Sequence, residues 1–398
     1  MMDVVLDISR LISRIRHSTP SGVDRVEMAY ARGLAARHGT RLAFSAVHPC
    51  GLYGRIPTYA AYAYLDRLER NWESQENAPP RISFATIIPQ LIAMLPISGG
   101  IGSADVYIQV SPHHLADASR VRRILAVERA RFLCMVHDLI PIEFPEYARP
   151  NGAAQHRKRI ETVATALTET RGAAIVNSTA TGRSLRRWLK PNTPIHVALL
   201  GTVDLAKSGF DEQERGPVPY FVCLGTIEPR KNHLLLLHLW RHFAETLSPD
   251  EIPRLYIVGR RGWENEQVID LLDRCSALRG HVIELGGYPD RSLAGLLRAA
   301  RALLMPSFAE GFGMPVAEAL SMGTPVVCSN LAALNEVGGA VPDYIDPLDG
   351  AAWKAAVLDH ARNGPMARAQ SVRLSDWHNP TWEEHMAVID RAIIDLKY

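Results

Sequence analysis

Short apolar runs alternate with helix-like stretches along almost the whole chain. The runs are rich in β-branched residues and apolar throughout, which is typical of a parallel sheet covered by helices on both faces. In the first half the predicted strands are residues 4–8, 42–47, 106–110, 132–136, 173–176 and 195–199. In the second half they are residues 220–224, 255–258, 282–285, 302–305 and 325–328. Because the series occurs twice, the pattern predicts an α/β protein with two doubly wound Rossmann-like domains.

A polar stretch, KSGFDEQERGPVP, separates the two series. It predicts a linker at 207–219 between an N-terminal domain over 1–206 and a C-terminal domain over 220–375. Apolar residues recur at helical spacing in WEEHMAVIDRAIIDL, so 376–398 are expected to form a closing helix that packs back toward the N-terminal domain. Ligands of doubly wound sheets bind at the carboxyl ends of strands, so we expect the site in the cleft between the two domains.

Composition and charge bear on partners and location. The chain has 398 residues, 47% hydrophobic and 22% charged, as in folded globular proteins. Residues 1–205 contain 25 Lys and Arg against 17 Asp and Glu, and the remainder contains 19 against 25. The basic half suits an anionic partner, and nucleic acid is not expected. Five well-separated cysteines without a CxxC pair indicate reduced thiols and a cytoplasmic protein.

Several classes of chemistry lack their signatures. The sequence contains no P-loop, no complete GxGxxG after a strand, no DxD, no HExxH and no GxSxG. We therefore expect no metal and no resident cofactor. Residues 82–104 carry no charge, but two prolines and three glycines interrupt them, so a spanning helix is not expected. A lipid-contacting loop and a buried core segment are the two alternatives for this stretch.

The stretch PSFAEGFGMPVAEALSMGT at 306–324 carries the most specific chemical pattern. It follows a predicted strand, Pro315 suits the first turn of a helix, and Glu310 and Glu318 flank that helix start. An ionised carboxylate accepts two hydroxyl hydrogen bonds, so the pair suits two vicinal diols, one of a ribose and one of a sugar. The alternative is a loop residue and a carboxylate that is favoured by the helix dipole.

Together with neighbouring motifs, this stretch resembles the GT-B-fold retaining glycosyltransferases of family 4, and bacterial polysaccharide mannosyltransferases in particular. The other motifs are LGTIEPRKNHLLLL, IELGGYPDRSLAGLLRAARALLMPS, VHDLIPIEFPE and TPSGVDRVEMAY. The resemblance is strong over roughly residues 215–345 and patchier over 1–205. It implies an acceptor-binding N-terminal domain and a C-terminal domain that binds a nucleotide sugar.

The resemblance also implies roles for individual residues. It assigns donor binding to Gly22, Gly225, Arg230, Lys231, Tyr288, Glu310, Gly311, Phe312, Gly313 and Glu318. It assigns catalysis to His137, Arg230, Lys231 and Glu310. Two fixed cations near the donor diphosphate do the work of a metal ion, in keeping with the missing DxD. The alternative for Arg230 and Lys231 is a solvated basic pair.

Residues of the first half complete the candidate site. Gly22 precedes a helix-like run, with Ser21 and Asp24 at capping-box spacing, so it is either a phosphate contact or part of a plain capped helix. His137 ends a predicted strand at a position where the family's histidine contacts the donor sugar. His113 and His114 follow another strand and are candidates for acceptor binding.

The expected activity is transfer of a hexose to an oligosaccharide or glycolipid acceptor in bacterial surface polysaccharide synthesis. The HDLIP and FPE context favours GDP-mannose as the donor, with a UDP-sugar as the alternative. Arg120, Arg122, Arg123, Arg129 and Arg131 form either an interfacial helix face on the inner membrane surface or a solvated one. A sugar-nucleotide epimerase and a non-enzymatic carbohydrate-binding protein are the competing functions.

Overall fold

Two sheets form from the strands that the sequence predicts. The computed structural model describes residues 2–15, 17, 20–73, 84–96, 104–202, 218–286, 288 and 290–397. Every predicted strand is present within two residues of its expected bounds. Their side chains are mostly buried on both faces, as the unbroken apolar runs require.

The chain divides into two units. The first comprises Met1–Glu143, Pro150–Gly201 and Thr381–Tyr398, and the second comprises Phe144–Arg149 and Thr202–Pro380. The predicted linker at 207–219 lies, up to residue 217, outside the described residues.

The first unit is built on a seven-stranded sheet. Its strands are β1 (Val4–Asp7), β2 (Leu42–Val47), β3 (Tyr53–Ile56), β4 (Val106–Gln109), β5 (Arg131–Val136), β6 (Ala173–Val176) and β7 (Ile195–Val197). Its helices, in chain order up to residue 186, are α1 (Ser9–Ser13), α2 (Gly22–His38), α3 (Thr58–Glu73), α4 (Phe84–Ala93), α5 (Ala118–Glu128), α6 (Ile140–Glu143), α7 (Gly152–Thr170) and α8 (Thr179–Arg186).

The strand order of this sheet is β3-β2-β1-β4-β5-β6-β7. Val4 pairs with Leu42 on one side and with Val106 on the other, both in parallel. The expectation of an all-parallel sheet is wrong at one edge, because β3 runs antiparallel to β2. The sequence YGRI of β3 has no apolar run, which explains why the pattern missed this strand.

The second unit is built on a six-stranded parallel sheet. Its strands are β8 (Tyr220–Leu224), β9 (Arg254–Val258), β10 (Val282–Leu285), β11 (Ala302–Met305), β12 (Val326–Ser329) and β13 (Asp343–Ile345). Its helices are α9 (His233–Thr246), α10 (Glu266–Arg274), α11 (Asp290–Ala299), α12 (Met314–Ser321), α13 (Ala332–Gly338), α14 (Gly350–Ala361) and α15 (Pro365–Leu374). The order β10-β9-β8-β11-β12-β13 is that of a Rossmann sheet. The short edge strand β13 was not predicted.

The last helix, α16 (Trp382–Asp395), belongs to the first unit. It begins with a capping box between Thr381 and Glu384. His385 in α16 is hydrogen-bonded through Nε2 to the Tyr30 hydroxyl at 2.9 Å and through Nδ1 to the Leu199 carbonyl at 2.9 Å. The helix therefore packs on α2 and on the chain after β7.

Helix α4 leaves apolar side chains in solvent. Ile88 is 50% exposed, Ile92 61% and, just past the helix, Leu95 41%. This part of the uncharged stretch is therefore not a buried core segment. Helix α5 differs from α4 in that its apolar side chains Val121, Ile124 and Leu125 are buried, while its arginines point outward. No helix within the described residues is long and apolar enough to cross a membrane.

Two carboxyl groups are buried together in the first unit. Asp7 accepts hydrogen bonds from the Ser9 hydroxyl at 2.9 Å and the Tyr107 hydroxyl at 2.6 Å. Glu27 accepts one from the Leu11 amide at 3.2 Å. Burial raises the pKa of Asp7, and burial together with the nearby Asp7 charge raises the pKa of Glu27 to about 8. Glu27 is therefore protonated at neutral pH.

We expect Glu27→Gln to stabilise the protein at pH 8 and above. The pKa of Glu27 rises from 4.5 to about 8 on folding, so its contribution to stability is fully present below pH 4.5 and is lost as the pH rises toward 8. Full linkage over that interval amounts to about 5 kcal/mol at most. Chemical unfolding of both proteins from pH 4 to 9 measures this difference. A wild-type stability that does not fall from pH 4.5 to 8 relative to the variant would contradict the shift.

Candidate functional site

The loops that follow β8 and β11 carry most of the residues implicated in the second unit. These two strands are neighbours in the sheet, and the strand order reverses between them. The gap between the loops at such a reversal is where doubly wound sheets bind ligands. Arg230 and Lys231 lie in the first loop, in a short 3-10 turn over Pro229–Lys231. Glu310 lies in the second loop.

A buried ion cluster joins the two loops. The Glu310 side chain is 7% exposed, and its two oxygens lie 2.6 Å from Lys231 Nζ and 2.8 Å from Arg230 Nη1. Arg230 Nε lies 2.5 Å from Glu228 Oε1. Burial by itself raises the pKa of the Glu310 carboxyl, but the charges of Arg230 and Lys231 outweigh it and lower the pKa to about 2. Glu310 is therefore ionised throughout the physiological range.

Glu228 completes the cluster, and sequence reasoning did not single it out. Burial raises its pKa, although Arg230 and Lys231 oppose that effect. With both carboxyl groups ionised, two negative and two positive charges balance. The signal was present in the motif LGTIEPRKN, where a carboxylate stands two residues before Arg230.

Two glycines make room for this arrangement. Gly225 has φ +138°, and a Cβ there would lie 3.4 Å from Lys231 Cε. Gly313 caps α12 with φ +104°, and a Cβ there would collide with the Leu334 side chain. Positive φ values of this kind favour glycine. Both positions therefore favour glycine because of their backbone conformation, and at Gly313 the contact with Leu334 adds a packing reason.

The remaining implicated residues of the second unit follow Glu310 or β10. Phe312 is buried at 4% exposure, and Pro315 occupies the first turn of α12 as predicted. Glu318 lies partly exposed on α12, and Gly311 lies in the loop before it. Tyr288 is partly buried after β10, with its neighbours 287 and 289 outside the described residues. The structure thus brings Arg230, Lys231 and Glu310 into contact. The other implicated residues of this unit lie in the segment from 311 to 318 or, for Tyr288, after β10.

The implicated residues of the first unit lie at helix and strand ends. Gly22 begins α2, whose capping box between Ser21 and Asp24 is present as predicted. Arg10 reinforces it through 2.6 Å and 3.1 Å contacts to the Asp24 carboxylate and the Ser21 hydroxyl. The capped helix that was one alternative for Gly22 is therefore present. A capped helix N-terminus is also compatible with a phosphate contact.

Three histidines follow β4 and β5, which are adjacent strands. His137 comes directly after β5, and its Nε2 lies 2.8 Å from the Val110 carbonyl. Burial lowers its pKa. The rings of His113 and His114 lie 4.0 Å apart, and burial is the main cause that lowers the pKa of each to about 4. All three imidazoles are therefore neutral at pH 7.

The second unit also contains a segment that sequence reasoning assigned to the N-terminal domain. Residues Phe144–Arg149 belong to this unit, and the Tyr147 ring stacks on Phe308 with centroids 5.8 Å apart and planes 8° apart. Phe308 stands two residues before Glu310. No motif predicts this contact, because it depends on tertiary structure.

Within the described ranges, no three His, Cys, Asp or Glu side chains converge closely enough to hold a metal ion. None of the five cysteines, all of which are described, forms a disulfide. Cys134, Cys223 and Cys328 are buried as expected, whereas Cys50 is exposed and Cys275 is partly buried.

We expect Glu310→Gln to lower the melting temperature at pH 7. The pKa of Glu310 falls from 4.5 to about 2 on folding, so its contribution is present above pH 4.5 and is lost as the pH falls toward 2. That shift corresponds to about 3 kcal/mol, and the glutamine also leaves two cations without their partner. Thermal unfolding from pH 7 down to pH 3 should show the two proteins converging. A constant difference across this range would contradict the assignment.

A family model and several curated relatives match this chain. Residues 218–363 match the family described as Glycosyl transferases group 1. O-antigen chain mannosyltransferase B of Escherichia coli is 38% identical over 168 residues, which cover 41% of this chain and 42% of that protein. O-antigen chain mannosyltransferase RfbU of Salmonella typhimurium is 30% identical over 150 residues, which cover 36% and 39%. The matched regions span less than half the length of these relatives.

Solved structures share the whole architecture. The structure of Anabaena HepE in complex with UDP-glucose has a TM-score of 0.63 and 14% identity, with 100% of both chains covered. Sucrose-phosphate synthase from Thermosynechococcus elongatus has a TM-score of 0.67 and 16% identity, with 100% and 99% covered. The GT-B fold class and the resemblance to GT-B mannosyltransferases are confirmed, and residues 218–363 of this chain are similar to the Glycosyl transferases group 1 family.

Proposed function

We propose that the protein is a retaining glycosyltransferase that transfers a hexose from a nucleotide-sugar donor to an oligosaccharide or glycolipid acceptor in bacterial surface polysaccharide synthesis. The observation that carries the proposal is the ion cluster of Arg230, Lys231 and Glu310 between neighbouring strand-end loops. It lies within the segment that matches the group 1 family. Two curated relatives of this chain are named as O-antigen chain mannosyltransferases.

GDP-mannose is the donor that this proposal favours. The names of the relatives support mannose as the transferred sugar. A UDP-sugar is the alternative, because the HepE structure holds UDP-glucose in the same fold. Likeness of fold at 14% identity says nothing about the donor, so the names of the relatives weigh in favour of mannose.

Positive charge is the main catalytic contribution in this proposal. As the bond between the anomeric carbon and the phosphate oxygen breaks, negative charge grows on the leaving diphosphate. Arg230 and Lys231 stabilise that charge without a metal ion. Glu310 orients both cations, so donor phosphate competes with a carboxylate for hydrogen-bond donors that are already in position. The acceptor oxygen attacks the anomeric carbon from the same face as the departing phosphate, and its proton passes to the leaving phosphate oxygen.

Hydroxyl recognition falls to the carboxylates and His137. Glu310 is ionised and has lone pairs beyond those facing the two cations, so it accepts from the transferred sugar. Glu318 accepts from the ribose. A carbonyl only accepts, so His137 Nε2 carries the proton toward Val110, and its Nδ1 is left as an acceptor for a sugar hydroxyl. His113 and His114, neutral after β4, are proposed to face the acceptor.

A thermal-shift panel tests donor binding. The ligands are GDP-mannose, GDP, UDP-glucose and UDP, each with and without EDTA. A ligand at a hundred times its dissociation constant stabilises the native state by about 2.7 kcal/mol, which raises the melting temperature on the order of 5 °C. We expect this rise for the guanine series, unchanged by EDTA. Glu318→Ala and Arg230→Ala should abolish it.

Arg241→Ala is the matched control, because Arg241 makes an exposed ion pair with Glu245 within α9. It should keep the full shift. No shift with any nucleotide would favour the non-enzymatic carbohydrate-binding alternative, and an EDTA-sensitive shift would exclude the metal-independent mechanism. Release of free nucleotide without an acceptor would point to the epimerase.

We also propose that the reaction takes place in the cytoplasm, at the inner membrane surface, with helix α4 touching lipid. The exposed side chains of Ile88, Ile92 and Leu95 support this contact, together with the absence of charge from 82 to 104. The arginines of α5 support it less, since Arg122 already pairs with Glu169 at 3.1 Å.

Liposome flotation tests the membrane contact. The protein should float with phosphatidylcholine vesicles that contain anionic phosphatidylglycerol. The double variant Ile88→Glu, Ile92→Glu should lose most of that binding, because two exposed apolar side chains proposed to enter the lipid are replaced by charges. Val372→Glu is the control, since Val372 is an apolar side chain of the second unit that is 73% exposed. If wild type floats neither with these vesicles nor with pure phosphatidylcholine vesicles, the membrane contact is excluded.

A further inference from the structure

The six-residue segment Phe144–Arg149 makes contacts with two loops of the second unit. The Tyr147 ring stacks on Phe308, which lies in the loop after β11. The Tyr147 carbonyl accepts a hydrogen bond from the indole N–H of Trp263 at 3.3 Å, and Trp263 lies in the loop after β9. The Arg149 guanidinium lies 4.4 Å from the centre of the Trp263 ring. Tyr147 therefore bridges two loops that are far apart in sequence.

Those two loops lie on either side of the ion cluster. In the strand order, β9 and β11 are the two neighbours of β8, and the loop after β8 carries Arg230 and Lys231. Because all three strands are parallel, their following loops lie at one edge of the sheet. A bridge from the β9 loop to the β11 loop therefore spans the loop that holds the cations.

Both bridged loops are hydrogen-bonded to the β8 loop. The Phe308 amide donates to the Arg230 carbonyl at 2.8 Å. On the other side, the Gly262 amide and the Asn265 side chain donate to the Ile227 carbonyl at 2.9 Å and 2.7 Å. Movement of either flanking loop thus changes the backbone that sets the position of Arg230. Sequence neighbours of Tyr147 on both sides, up to Glu143 and from Pro150, belong to the first unit.

We propose that Tyr147 is a positioning residue of the donor site, which acts through Phe308 and Trp263 to hold Arg230 in place. The donor part of this inference rests on the proposed function. Neither contact of Tyr147 uses its hydroxyl, because the ring face stacks and the backbone carbonyl accepts. The segment holds both flanking loops in place, so donor phosphate meets a guanidinium whose orientation is already fixed.

Hydrogen–deuterium exchange of the unliganded full chain tests the clamp itself. Tyr147→Ala should speed exchange in peptides that contain the Phe308 amide, since the loop after β11 loses the ring that stacks on it. The Tyr147 carbonyl that accepts from Trp263 is backbone and is kept in this variant, so the Gly262 amide should change less. Tyr147→Phe should restore the wild-type rates, and Trp263→Phe should speed exchange at Gly262. Tyr59→Ala, which truncates an exposed tyrosine of the first unit, is the matched control and should change neither peptide. Unchanged exchange at the Phe308 amide in Tyr147→Ala, or at the Gly262 amide in Trp263→Phe, would overturn the clamp.

Titration with GDP tests the consequence for the donor site. An aromatic pair contributes enough that its loss should weaken GDP binding about 2- to 12-fold. Tyr147→Phe should bind like wild type, and Phe308→Ala should add little to Tyr147→Ala if the two rings act as one unit. If wild type binds GDP and Tyr147→Ala binds it with the same affinity, the positioning role is overturned. If wild type binds neither GDP nor UDP, the proposed function fails and the donor role with it, while the exchange result still decides the clamp.

Discussion

The second unit depends on one electrostatic constraint, which is that the Glu310 carboxylate is buried as an ion. An isolated buried carboxylate would take up a proton, but two cations within 3 Å keep it charged. The ion pairs of Glu310 with Arg230 and Lys231 fix the loop after β8 against the loop after β11. Glu228 then balances the remaining positive charge through Arg230. Arg230, Lys231, Glu310 and Glu228 therefore form a pre-organised set of hydrogen-bonding groups in the loops of the second unit.

The fold supplies the adjacency that this cluster needs. Residues 231 and 310 meet because β8 and β11 are sheet neighbours, although three strands and three helices of the second unit follow β8 before β11 ends. The reversal of strand order between them leaves a gap at the carboxyl edge, and Gly225 and Gly313 supply the positive φ angles that the two loops adopt. Site and topology are therefore parts of one explanation.

The sequence predicts the elements of this fold better than its contacts. Unbroken apolar runs locate the buried strands, whereas β3, with Gly54 and Arg55 in a four-residue edge strand, carries no such signal. The motifs around Arg230 and around Glu310 predict the charged residues of the candidate site, since their chemical types and order are local. The pairing of Glu310 with both cations and the stacking of Tyr147 on Phe308 are tertiary events, and neither periodicity nor spacing encodes them.

Two buried glutamates show how the same burial gives opposite chemistry. Glu27 lies near Asp7, and its pKa rises to about 8, whereas Glu310 lies against Arg230 and Lys231, and its pKa falls to about 2. Burial makes both groups sensitive to neighbouring charge, and the sign of that charge decides which form is present. At neutral pH the carboxyl of the first unit is an uncharged packing group. The carboxylate of the second unit keeps its charge, which is the form that the proposed recognition of sugar hydroxyls requires.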